Sequence, residues 1–195
     1  MTLSGDYSDV AGNVGVSARS NRYAIDTKRP VVSSFTIDDG SLKAGESANV
    51  TLVFSEAVRG FLSGVDVTAR NGSLSVMTST DNITWIGVFT PWVDIEDANN
   101  TLILSGEYSD VAGNAGVSAR SNRYDIDTKT PVVSSFTIAD GFLSAGESTN
   151  VTLVFSEAVR GFLSGTDITA RNGSLSAMTS TDNITWIGVF TPWVD

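Results

Sequence analysis

The chain contains no cysteine and no histidine. Disulfides, thiol nucleophiles, most zinc sites and the commonest general base are therefore excluded together. Any stabilising clip in such a chain has to be a hard, oxygen-seeking metal ion. No apolar run approaches the length of a membrane span, and Met1-Thr-Leu-Ser-Gly5 lacks the charged start and apolar stretch of a signal peptide. Positive charge is also scarce: 12 Lys and Arg stand against 22 Asp and Glu, a net charge of −10. That balance disfavours nucleic acid and anionic lipid surfaces as partners, and favours divalent cations. Hydrophobic residues make up 41% and charged residues 17%, a composition that folds.

A repeat dominates the 195 residues. Leu3 to Asp94 recurs as Leu104 to Asp195, offset by 101 positions, and residues 1–94 differ from 102–195 at 13 places. Only Ile95 to Thr101 lies outside both copies. A period of this length matches whole domains in tandem rather than solenoid units or propeller blades. Tyr124-Asp-Ile-Asp-Thr-Lys-Thr-Pro131 is polar and ends in proline, as does its counterpart Tyr23 to Pro30. Proline halts a strand ladder and stiffens a linker. The expected phasing is the end of one repeat at 1–29, a complete repeat at 30–130 and the front of a third at 131–195.

Period-two alternation predicts an all-β fold. The expected strands are A (31–37, with Phe35 and Ile37 inward), B (49–54, with Val50, Leu52 and Phe54 inward), C (65–70), D (73–77), E (83–90), F (101–107) and G (about 117–126). Asn71-Gly72 is expected to close a C–D hairpin, since both positions of such a turn favour positive φ. Gly60 to Gly64 reads as a flexible B–C loop. Seven short strands in about 100 residues fit an immunoglobulin-like seven-strand sandwich, repeated in tandem. Trp85 is expected as a core anchor, and Trp92 sits in a loop after Pro91.

Phe54-Ser-Glu-Ala-Val58, Asp66-Val-Thr68, Trp85 leading to Phe89-Thr-Pro91, Asp110-Val-Ala-Gly-Asn114 and Asp125-Ile-Asp-Thr128 occur in that order. This series resembles the bacterial immunoglobulin-like repeats of giant secreted adhesins, of the repeats-in-toxin and biofilm-associated types. The resemblance covers the whole period. It implies an extracellular extender at the bacterial cell surface, in tandem arrays with calcium at or near the domain junctions.

The strand order supplies an independent expectation for the acids. Alternating strands put the A–B, C–D and E–F loops and the end of strand G at one end, with Asp38, Asp39, Asp94, Glu96, Asp97, Asp125 and Asp127. The B–C, D–E and F–G loops lie at the other, with Glu56, Asp81, Asp110 and Asn114. Domains joined end to end would face the first set against the second set of the next domain. Asp26 and Glu157 are the repeat counterparts of Asp127 and Glu56. The candidate Ca²⁺ ligands are thus Asp26, Glu56, Asp94, Glu96, Asp97, Asp110, Asp125, Asp127 and Glu157. Calcium takes six to eight oxygens, and carboxylates gathered without it repel. The other reading is a solvated acidic loop set, with Asp110 to Asn114 as a plain Asx turn.

No catalytic residue is expected, because paired acids without a cleft do not make a glycosidase. Asn49, Asn71 and Asn82 match the glycosylation sequon but fall in strands or turns where Asn and Thr are ordinary. Besides neighbouring repeats, two further partners are compatible with the sequence. A glycan or protein ligand would bind at exposed aromatics such as Trp92 and Trp193. Other copies of the chain would join head to tail, residues 1–29 adding strands to residues 131–195 to build a filament.

Overall fold

In a computed structural model that describes residues 1–194, the chain forms two compact units, residues 1–127 and 128–195. In the first unit, residues 1–29 supply two short strands, β1 (Thr2–Leu3) and β2 (Ala18–Arg19). The sandwich follows: β3 (Val32–Ile37), β4 (Ser41–Lys43), β5 (Ala48–Phe54), β6 (Val58–Arg59), one helical turn α1 (Ser63–Asp66), β7 (Val67–Thr68), β8 (Gly72–Leu74) and β9 (Thr84–Pro91). It ends with β10 (Glu96–Asn100), β11 (Ile103–Leu104), β12 (Ser109–Asp110), β13 (Ala119–Arg120) and β14 (Tyr124–Asp127).

One layer is the four-stranded sheet β3-β5-β9-β8; the other is built from β13-β11-β7, β12-β6 and β10-β14-β4. Alternation aims Phe35, Ile37, Val50, Leu52 and Phe54 inward, where they are buried with Phe89, Leu102, Leu104, Tyr108, Tyr124 and Ile126. Trp85 is half-buried against this core, edge-on to Phe61 at 4.9 Å.

Four sequence expectations need correction. Strand C does not start at Val65, and Gly60 to Gly64 is not loop throughout. Ser63–Asp66 is a helical turn, closed because the Asp66 carboxylate accepts the Leu62 N–H at 2.7 Å. The Ser63 hydroxyl accepts the Met77 N–H at 2.9 Å, tying that turn into the core. Side chains that satisfy nearby backbone donors compete with strand pairing in this way.

The C–D hairpin is also absent. Asn71 has φ 57°, but Gly72 is extended and not in the left-handed region. β7 pairs with β11 and β8 with β9, so the chain changes sheets here. Gly72 serves packing instead: a Cβ there would lie 2.3 Å from the Phe89 ring.

Strand G is broken between β13 and β14. The Asn122 side chain accepts the Ile37 N–H at 2.8 Å and donates to the Ile37 carbonyl at 3.1 Å, acting as a backbone peptide would. Finally, β4 and β10 fall in segments read as loop. Both pair with β14, β4 in parallel and β10 antiparallel. The residues of β10 are Glu-Asp-Ala-Asn-Asn, so backbone pairing rather than an apolar pattern makes it a strand.

The second unit repeats the first half of the sandwich: β15 (Val133–Ile138), β16 (Thr149–Phe155), the helical turn α2 (Ser164–Asp167), β17 (Gly173–Leu175) and β18 (Thr185–Pro192), in sheet order β15-β16-β18-β17. Among the described residues, its buried hydrophobic core is Val151, Leu153 and Met178.

Candidate metal centre

Asp110 ends β12 and leads into the β12–β13 connection, in the sequence Asp110-Val-Ala-Gly-Asn114. Gly113 has φ 95°, which its lack of a Cβ permits. The loop closes on the Asp110 carboxylate, which accepts the Asn114 backbone N–H at 2.8 Å and the Asn114 side-chain amide at 2.7 Å. Asp110 is almost wholly buried. The Asn114 amide first, then backbone N–H groups of the loop, hold its carboxyl below the ordinary 3.8 against the opposing effect of burial.

The linker is drawn onto the same loop. Asn114 donates its side-chain amide to the Asp26 carbonyl at 3.2 Å. Arg29 donates from Nε to the Ala115 carbonyl at 2.8 Å and from Nη2 to the Gly116 carbonyl at 2.6 Å. Asp26 in turn accepts the Lys28 N–H, bending the linker before the buried Pro30. These contacts place the Asp26 carboxylate against the sandwich, beside Glu56 from the β5–β6 connection and Asp110. One carboxylate oxygen from each of the three lies within 4.8 Å of the others. Asp26 is exposed, Glu56 partly buried and Asp110 buried.

Three converging carboxylates repel one another unless a cation is shared among them. Oxygen donors alone, from two loops and a linker, are the donor set of a hard cation such as Ca²⁺. The residues present fit that ion: the linker acid and two acids of the following domain meet at one end of the sandwich.

The remaining candidates lie elsewhere. Asp97 accepts hydrogen bonds from the side-chain amide of Asn71 at 2.9 Å and the backbone N–H of Asn99 at 2.9 Å. Glu96 faces Asp127 across the β10–β14 pair, and Asp125 faces Ser41. Asp94 occupies an exposed turn with φ 62°. Asp38 is held by Asn49, and Asp39 caps the Ser41 N–H. Among the described residues, Asp26, Glu56 and Asp110 are the one group of three acids that converges this closely. In the second unit, Glu157 is partly buried and its Oε1 has no hydrogen-bond partner.

Sequence reasoning missed Arg29. Its signal lay in the comparison of the copies, where position 29 is Arg and its counterpart, position 130, is Thr. Nothing in the sequence showed that the guanidinium would reach the Ala115 and Gly116 carbonyls.

A two-layer β-sandwich whose first half recurs in tandem defines an immunoglobulin-like module. The bacterial Ig-like domain family model matches residues 26–126 and 127–195, and the chain belongs to that family. Among solved structures it is similar to the FdeC adhesin of Escherichia coli, at 14% identity and TM-score 0.40, covering 93% of this chain and 62% of that one. It is also similar to the N-terminal eight Ig domains of the Down Syndrome Cell Adhesion Molecule, at 15% identity and TM-score 0.35, covering 95% of this chain and 26% of that one. The chain thus spans less than two thirds of either. No curated protein matches it.

Proposed function

We propose that this chain is a non-catalytic extender from a bacterial cell-surface adhesin, stiffened by calcium where one repeat joins the next. The carrying observation is the meeting of Asp26, from the linker, with Glu56 and Asp110, from the domain that follows. A cation bound there ties linker to domain and removes a hinge. Arg29 supplies a metal-independent part of the same restraint. The repeat itself supports a spacing role, since near-identical copies add length without adding a new site.

Thermal unfolding in EDTA, Mg²⁺ and Ca²⁺ tests this reading. A ligand that binds only the folded state raises Tm with its free concentration. The expected result is a rise selective for Ca²⁺, lost in Asp26→Asn and Glu56→Gln. Equal melting in all three conditions overturns calcium stiffening.

A second reading, a ligand-binding module, is favoured by one observation. Trp92 is 56% exposed, and Val93 beside it is exposed too. Trp92→Ala abolishes adhesion on that reading and leaves it intact on the first.

A further inference from the structure

Positive charge is scarce in this chain, yet two arginines share one pocket. Arg70 and Arg120 both line a polar pocket of about 240 Å³, with Asp97, Asn99, Thr101 and Ile103 around them. The sheet β13-β11-β7 places them. Arg120 and Thr68 lie opposite Ile103, on either side of β11. Val67 and Leu104 are buried in the core, so Thr68, Ile103 and Arg120 face outward. Arg70 follows β7 by two residues. The two arginines therefore flank the pocket from opposite sides of one strand.

Neither guanidinium is neutralised. Among the described residues, Arg70 and Arg120 have no ion-pair or side-chain hydrogen-bond partner. The carboxylate in the pocket is engaged elsewhere: Asp97 accepts the Asn71 side-chain amide on Oδ2 and the Asn99 backbone N–H on Oδ1, each at 2.9 Å. The buried Asn100 fixes that arrangement. Its amide donates to the Asp97 carbonyl at 2.7 Å, and its oxygen accepts from Asn71 at 2.8 Å. Two like charges lining one pocket repel until an anion lies between them. A planar guanidinium fork matches an anion that presents two oxygens, such as a carboxylate.

We propose that this pocket binds an acidic sugar residue through its carboxylate. Arg70 and Arg120 clamp the anion, while Asn99, Thr101 and Asp97 meet the ring hydroxyls. The volume is below the range of drug-sized ligands, and it suits one six-membered ring rather than a bare ion. The Asn99 oxygen is taken by Arg123 at 3.3 Å, so Asn99 offers its NH₂ group. Two arginines and one aspartate leave the pocket a single net positive charge, which matches a monoanion. The net charge of −10 on the whole chain opposes polyanions such as nucleic acid. Asp97 adds an acceptor for hydroxyl groups, which a pocket for a bare anion would exclude. The pocket shares no residue with the Asp26, Glu56 and Asp110 centre, so it stands whether or not calcium binds there.

NMR titration of the 195-residue chain in EDTA tests this, with glucuronate as the probe and glucose and inorganic sulfate as comparisons. Glucuronate is expected to shift the amides of residues 99–103 and 120 saturably. Glucose lacks the carboxylate and sulfate lacks the ring, so each should bind at least about tenfold more weakly, the factor that one charged hydrogen bond is worth. Arg70→Gln and Arg120→Gln should each weaken glucuronate by about tenfold for the same reason. Both side chains are exposed and unpaired, so an unchanged Tm separates lost binding from lost folding. No saturable shift with glucuronate overturns the proposal, as does binding that both variants leave unchanged. Sulfate binding as tightly as glucuronate overturns it too, because the ring then contributes nothing.

Discussion

The Arg29 guanidinium donates to the Gly116 carbonyl at 2.6 Å, joining a linker residue to a loop residue 87 positions later in the chain. With the neighbouring bond to the Ala115 carbonyl, it holds the linker on the loop that carries Asp110. Arg29→Ala removes both bonds without touching a carboxylate. The expected cost is about 1 kcal/mol on linker docking, since charged hydrogen bonds at a partly exposed site are worth roughly that much. Hydrogen exchange should show faster exchange around residues 26–29, with the amides of β5 unchanged.

The calcium affinity should depend on each of the three acids. Asp26→Asn, Glu56→Gln and Asp110→Asn each remove one anionic ligand and should weaken Ca²⁺ by roughly tenfold or more, given that even outer partners of metal ligands cost that much when lost. Isothermal titration measures it. Asp97→Asn, at a carboxylate held by Asn71 and Asn99, should leave calcium affinity unchanged.

Acid should act through Asp110. Its folded-state pKa lies below the ordinary 3.8, because the Asn114 amide stabilises the carboxylate. A group with a depressed folded pKa adds stability above its unfolded pKa and loses it as pH falls through the folded value. Stability from this group is therefore complete above about pH 5 and declines below about pH 4. Asp110→Asn should flatten that acid limb in urea melts at successive pH values.

Tyr124 offers the opposite sign. Its ring is buried edge-on to Phe89 at 5.2 Å, and its hydroxyl has no hydrogen-bond partner. Burial first, and Asp97 second, push its ionisation up from 10.0 to about 12. The folded state thus holds the phenolic proton more tightly, and stability falls as pH rises from about 10 to about 12. Tyr124→Phe removes a buried unsatisfied hydroxyl. It should be neutral or stabilising by about 1 kcal/mol at neutral pH, and should blunt the alkaline loss in the same melts.

The repeat provides its own control for packing. A Cβ at Gly116 would lie 2.5 Å from the buried Tyr108 ring, and one at Gly15 would lie 2.3 Å from the exposed Tyr7 ring. Gly116→Ala should destabilise the first unit by about 1 to 3 kcal/mol, the usual range for overpacking. Gly15→Ala should cost less, because the exposed Tyr7 ring is held only by its hydroxyl bonds to Val16 and can swing into solvent.

The parts of the fold that follow from side-chain alternation were legible. Phe35, Ile37, Val50, Leu52 and Phe54 point inward as their spacing requires, since successive strand residues face opposite ways. The parts that depend on backbone pairing or on side chains standing in for backbone were not. β10 has no apolar pattern to betray it, and the break at Asn122 and the turn at Ser63–Asp66 each rest on two side-chain to backbone hydrogen bonds.

The candidate site divides in the same way. Sequence alone determined that this is a tandem all-β repeat, and that neither thiol nor imidazole chemistry is available. Those are properties of composition and short-range order, which every stretch of chain carries with it. Only the tertiary structure decided which of nine candidate acids meet. Asp26, Glu56 and Asp110 come from a linker and two separate loops, and loop paths are set by long-range contacts such as Arg29 to Gly116. Convergence of charge is a property of distance in space, and sequence separation does not encode it.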